Sequence, residues 1–87
     1  ALARVGAEVR VDVEGGVSVQ SVLDAIERDY PVLAGTMRDH VTQKRRPFVR
    51  FFACGEDVSL GPASTCLPDD IASGREPLLV IGAIAGG

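Results

Sequence analysis

Aromatic residues are scarce in this chain: one tyrosine and three phenylalanines, Tyr30, Phe48, Phe51 and Phe52, in 87 residues. The core must therefore come mainly from Val, Leu, Ile and Ala. Cysteine occurs twice, at Cys54 and Cys66, and histidine once, at His40. Two cysteines are too few for a disulfide framework, and one distant histidine does not complete a zinc-ligand spacing. The cysteines read as reduced, half-buried thiols of a cytoplasmic protein. No apolar run is long enough to span a membrane. The opening stretch ALARVGAEVR lacks the apolar core of a signal peptide. Positive charge is in deficit, with a formal net charge of −3, which argues against nucleic acid as the main partner. The only basic run, Lys44 to Arg46, reads as a solvated turn, with docking to an acidic partner surface as the functional alternative.

Catalytic signatures are missing too. There is no glycine-rich phosphate loop followed by Lys-Ser/Thr, no H-E-x-x-H and no G-x-S-x-G. Pairing His40 with Cys54 or Cys66 has no local signature to support it, and so small a chain leaves little room for a deep pocket. Asp69-Asp70 lacks further oxygen ligands at loop spacing and reads as a turn or helix cap rather than a metal site.

What is present is a short α+β pattern on the scale of one domain, residues 1–87. In AEVRVDVEGG, Val9, Val11 and Val13 alternate with Glu8, Arg10 and Asp12, which predicts a strand with one wet face. The period then changes. Val19, Val22, Leu23, Ile26 and Tyr30 share one helical face, Ser18 is a good N-cap, and Pro31 marks the end. Leu33, Met37 and Val41 lie four apart and suggest a short second helix or turn, with His40 beside it on the surface. FVRFFACGEDVSL reads as a strand and a hairpin-like return. PLLVIGAIAGG is a continuous apolar run, as expected of a strand buried on both faces inside a sheet. One main helix on a mixed sheet is the natural packing.

The chain closes on Ala83, Ile84, Ala85, Gly86 and Gly87. Two glycines after a buried strand would project a carboxylate on a thin, flexible stalk, over about 84–87, able to thread a narrow channel. Adenylation of Gly87 by another protein would turn a poor acyl donor into a good one, open to attack by sulfide or an amine.

With that ending, nearly the whole chain resembles the MoaD/ThiS sulfur carriers. VEGGVSVQSVLDAIERDYPVL is similar to their strand end, capped helix and P-x-L. RPFVRFFACGEDV is similar to R-x-F-V-x-V-F-V-N-G-E-x-V, with Cys54 in place of the asparagine. LPDDIASGREPLLVIGAIAGG is similar to L-x-D-G-D-E-V-x-I-x-P-A-V-A-G-G, with the D-G-D loop stretched to DDIASGRE. The resemblance implies an α+β, ubiquitin-like β-grasp fold: a mixed sheet packed by one main helix. It also implies that the family's first strand, normally beside the last one, is missing from the N-terminus of this chain, to be supplied by a further segment or another chain.

The functional implications are those of a protein cosubstrate and not an enzyme. A ubiquitin-activating-like enzyme would consume ATP to adenylate Gly87, and a thiocarboxylate formed there would pass sulfur to a synthase that builds a cofactor, an amino acid or another metabolite. The carrier itself would bind no cofactor and no metal, and its setting would be cytoplasmic. Gly86 would keep the stalk thin, and Ala83, Ile84 and Ala85 would run into the partner channel. Phe48, Phe51 or Phe52 would offer apolar area on the docking face, although strand alternation forbids all three. The alternatives are a ubiquitin-like modifier joined to lysines through Gly87, the small subunit of a sulfur-transferring heteromer, and an interaction domain whose tail has no role.

Overall fold

The computed structural model describes residues 1–5 and 7–82, with only the backbone of Ala7. Its elements in chain order are β1 (Leu2–Val5), β2 (Ala7–Arg10), α1 (Val19–Asp29), a 3₁₀ turn (Pro31–Leu33), β3 (Val49–Ala53), β4 (Glu56–Asp57), α2 (Asp69–Ala72) and β5 (Leu78–Gly82). The five strands form one sheet in the order β2-β1-β5-β3-β4. β1 and β5 run parallel, and the β1–β2, β3–β5 and β3–β4 pairs are antiparallel. The expected mixed sheet with one main helix is therefore present.

The N-terminal region departs from expectation. The place beside β5 is not vacant: β1 occupies it, with Ala3 opposite Leu78 and Arg4 opposite Leu79. β1 also pairs with β2, Leu2 opposite Arg10 and Ala3 opposite Val9. The single strand read over residues 8–13 is thus the second arm of a hairpin, Ala7–Arg10, and the pairing continues one residue further, Val11 N donating to Ala1 O and the Ala1 amino group to Val11 O, both at 2.9 Å. Its alternation persists: Val11 is buried and Val9 and Val13 are half-buried, whereas Glu8, Arg10 and Asp12 are exposed.

Helix α1 forms as its periodicity requires. Val19, Val22, Leu23, Ala25 and Ile26 are buried along one face. They join Ala3, Val11, Val49, Phe51, Ala53, Leu78 and Val80 in one core on one side of the sheet. The Ser18 hydroxyl accepts from Ser21 N at 3.1 Å, and the Ser21 hydroxyl accepts from Ser18 N at 2.8 Å. This reciprocal capping box satisfies two backbone donors that a helix start otherwise leaves unpaired. The helix stops at Tyr30, immediately before Pro31.

The stripe Leu33, Met37, Val41 does not make a helix. Only the 3₁₀ turn forms, after which Met37 is fully buried and Val41 is exposed. The loop that follows is held by charge instead. Arg38 is buried and forks onto Glu27 of α1 through Nε (3.1 Å) and Nη2 (3.0 Å), with a further bond to Asp24. Burial works to lower the Arg38 pKa, but the hydrogen bonds from the two carboxylates outweigh it and the net shift is upward. Asp69 and Asp70, expected as a turn or helix cap, sit in the first turn of α2, but its N-cap is Pro68 and no side chain caps it.

β3 and β4 are joined by Cys54 and Gly55, with φ of 51° and 81°. Two successive left-handed residues between paired Ala53 and Glu56 make the tight turn whose twist suits a β-hairpin. Gly55 meets that demand freely and Cys54 does not.

Candidate functional site

The helix covers only one side of the sheet, so the other side is open. Alternation along each strand settles what lies there. In β3, Val49, Phe51 and Ala53 face the core, leaving Arg50 and Phe52 outside. In β5, Leu78 and Val80 are buried, whereas Leu79 is half-buried and Ile81 is 54% exposed. The expectation that this strand would be buried on both faces is corrected: no second layer lies over Leu79 and Ile81 among the described residues.

The strand register aligns these side chains in rows. Glu8, Arg4, Leu79, Phe52 and Asp57 follow one another across the whole sheet. Ile81 lies opposite Arg50 in the next row. Phe48, 76% exposed, lies in the turn before β3, two residues ahead of Arg50, the spacing that in an extended chain returns to the same side. The face therefore has an apolar centre of Leu79, Phe52, Ile81 and Phe48. It is flanked by ion pairs, Arg4 with Glu8 at 3.1 Å and Arg50 with Asp57 at 3.8 Å. Exposed pairs of this kind contribute about 0–1 kcal/mol each; their consequence is a charged rim around an uncovered apolar strip. The Asp57 carboxyl is held below its ordinary value, first by hydrogen bonds from the Ser59 hydroxyl and backbone and then by the charges of Arg50 and Arg45, against the opposing effect of desolvation.

Of the three candidate phenylalanines, which alternation kept from sharing one face, two lie outside the core. Phe48 is the most exposed and Phe52 lies half-buried at the centre, whereas Phe51 is 3% exposed and belongs to the core. Leu79 and Ile81 were missed because an unbroken apolar run gives no hint of which alternate positions lack cover.

The strip narrows toward the end of β5. Gly82, the last described residue, lies opposite Val49. A Cβ on Gly82 would come within 3.0 Å of a Val49 methyl and 3.2 Å of the Phe48 carbonyl oxygen. A side chain at Gly82 would require Val49 and the Phe48 backbone to give by a few tenths of an ångström, so glycine suits this close approach of β5 to β3. Ala83, Ile84, Ala85, Gly86 and Gly87, expected to act as partner-binding stalk and carrier terminus, lie outside the described residues.

The remaining candidates are dispersed. Cys54 and Cys66 are both free thiols and both exposed, more so than anticipated. His40 is exposed on the loop after the 3₁₀ turn, as expected of a surface histidine. Among the described residues no cluster of three or more His, Cys, Asp and Glu side chains could hold a metal ion. No helix among them is long and apolar enough to cross a membrane. The basic run divides: Lys44 and Arg46 are exposed, while Arg45 is half-buried and its Nη1 donates to the carbonyls of Arg46, Pro47 and Val49.

Comparison with known proteins leaves the chain to be read from its own residues: no family model, no curated protein and no solved structure matches it.

Proposed function

We propose that this chain is a ubiquitin-like sulfur carrier of the MoaD/ThiS type, a protein cosubstrate built on a β-grasp sheet and working in the cytoplasm. The observation that carries the reading is the position of β5. A strand flanked on both sides, by β1 in parallel and β3 antiparallel, gives the following segment a rigid base. That segment, Ala83 to Gly87, has no side chain larger than that of Ile84. Five residues reach at most about 18 Å, enough to carry a terminal carboxylate from the sheet into a partner's ATP site. The apolar strip of Leu79, Phe52, Ile81 and Phe48 beside the root of the stalk suits the docking of that partner.

The chemistry follows from the carboxylate. The Gly87 oxygen attacks the α-phosphorus of ATP held by an activating enzyme, and pyrophosphate leaves. Hydrosulfide then attacks the carbonyl carbon, AMP departs with the C–O bonding pair, and a thiocarboxylate remains at Gly87. An acceptor bound to a synthase takes that sulfur in the next step. Within the carrier, Gly86 and Gly87 contribute by what they omit, since no Cβ blocks the carbonyl or widens the stalk.

Intact-mass measurement tests this directly. The chain is incubated with ATP, sulfide and an activating enzyme from the same cell. A mass gain equal to one oxygen replaced by sulfur, dependent on ATP and lost when Gly87 is deleted, is the expected result. Heavier adducts of the chain on the lysines of other proteins would replace this reading with that of a modifier. An unchanged mass with an enzyme competent toward other carriers would refute both.

A further inference from the structure

A second surface lies away from the open sheet face. The loop from Arg38 to Arg45 and the segment after β4 enclose a cleft of about 370 Å³. Its lining includes the apolar Phe51, Val58 and Leu60 and the cations Lys44 and Arg45. We propose that this cleft docks an acidic peptide segment of a partner protein, one large apolar side chain of the segment resting on Val58 and Leu60 while its carboxylates face Lys44 and Arg45.

Charge is the first argument. The chain has 12 acidic and 9 basic residues, yet no Asp or Glu lines this cleft, and three cations do. Arg38 spends its charge on Asp24 and Glu27. Lys44 and Arg45 make no carboxylate contact among the described residues: Arg45 holds only backbone carbonyls, the shortest contact 2.7 Å to Val49 O. A carboxylate arriving there meets two cations with no direct ion pair to break, Arg45 acting on the Asp57 carboxylate only at longer range.

Shape and apolar exposure come next. Leu60 is 80% exposed at the rim, so covering it removes apolar surface from water. The volume is at the small end for ligand sites and matches one or two side chains rather than a whole domain. The rim is also pre-ordered. Asp39 N donates to Lys44 O at 2.7 Å, Gln43 N donates to Asp39 O at 2.8 Å, and Arg38 bridges to Arg45 across the loop. The Asp39 carboxylate accepts from Val41 N and Thr42 N, both at 2.8 Å. Binding therefore pays little to organise the loop. Two available cations, no exposed aromatic ring in the cleft and a net charge of −3 disfavour a nucleic-acid strand, which needs a charged track with stacking platforms. The inference stands independently of the sulfur-carrier reading, because neither the tail nor the open sheet face takes part.

The test uses the whole chain, isotope-labelled, titrated with an end-capped hexapeptide of alternating glutamate and leucine. The expected result is saturable amide shifts at Lys44, Val58, Ser59 and Leu60. Lys44→Glu should weaken binding about tenfold, reversing one exposed ion pair, and Leu60→Ser should weaken it severalfold. Both residues are exposed, so neither change threatens the fold. A peptide with serine in place of leucine should bind more weakly than the parent. No saturable shift at about 5 mM, where even a contact of about 4 kcal/mol is largely occupied, overturns the proposal. So does a shift pattern confined to the open sheet face, indifference to both substitutions, or tighter binding of a single-stranded oligonucleotide to the same residues.

Discussion

Replacing Arg38 by methionine removes the only buried cation among the described residues and leaves its partners behind. The cost depends on how much water those partners can recover. Glu27 receives two of the three bonds, and its side chain is 16% exposed; Asp24 receives the third and is 59% exposed. Stranding a fully buried partner costs about 3–5 kcal/mol, whereas losing an exposed pair costs about 0–1. Asp24 belongs to the second class. Glu27 lies nearer the first but keeps some hydration, so the expected loss is about 2 kcal/mol. Methionine preserves much of the arginine stem and limits the packing loss. At about 4–8 °C per kcal/mol for a domain of this size, Tm should fall by about 8–16 °C. Thermal and urea melts of R38M, E27Q and the double variant complete a cycle, with an expected coupling above about 1 kcal/mol. A Tm loss under about 3 °C, or additive single effects, would refute the reasoning. The loop after the 3₁₀ turn would then be held by Met37 and apolar packing, with the ion pair a bystander.

Three further outcomes follow from local geometry and charge. Cys54→Asn places a residue tolerant of φ 51° in the β3–β4 turn; it should raise stability by about 0.5–1 kcal/mol, and a lower Tm would remove the claim of turn strain. Gly82→Val drives a side chain into Val49 and the Phe48 carbonyl and should cost about 1–3 kcal/mol in urea melts; an unchanged midpoint would mean that the end of β5 gives way freely. Acid should destabilise the fold through Asp39, Asp57 and Asp29, each held below the ordinary 3.8, chiefly by hydrogen bonds from the Thr42 and Val41 amides, from Ser59 and from Arg28 respectively. Lowered carboxyl pKa values add stability that is complete above the unfolded value and lost as pH falls through the folded one. Tm should therefore hold from pH 7 to about 5 and decline below about 4, less steeply in Asp39→Asn; an identical slope in that variant would remove Asp39 from the account.

Elements with a strong local period were legible in the sequence. Helix α1, its Ser18 cap and its Pro31 stop all rest on contacts within a few residues. So does the β3–β4 hairpin, whose turn is written in Cys54-Gly55. β1 was not legible, because four residues provide too little alternation to register, and its place beside β5 depends on pairing with residues more than 70 positions away. The stripe Leu33-Met37-Val41, read as a short helix or turn, gave only the turn: Met37 joins the core while Val41 is exposed, so the three do not share a face. The Arg38 anchor joins residues 11 and 14 apart in sequence, with no motif to announce it. The open face escaped for a related reason: hydrophobicity in β5 is equal on both sides, and only the presence of one covering helix tells Ile81 from Val80.

The position of β5 has a consequence for how the chain comes to be folded. Without residues 78–82 the sheet order leaves two separate pieces, the β2-β1 hairpin and the β3-β4 hairpin, with no strand to join them. Among the described strands the joining one is also the last in chain order. During synthesis α1 must wait on two half-sheets with unpaired inner edges until β5, which follows the other described strands, closes both. Contacts such as Ala3 with Leu78 close a loop of most of the chain, which slows folding relative to local pairings. A ribosome stalled before Leu78 would hold a polypeptide with exposed strand edges, a substrate for chaperones or proteases. Among the described residues, closing the sheet therefore requires a chain made through residue 82.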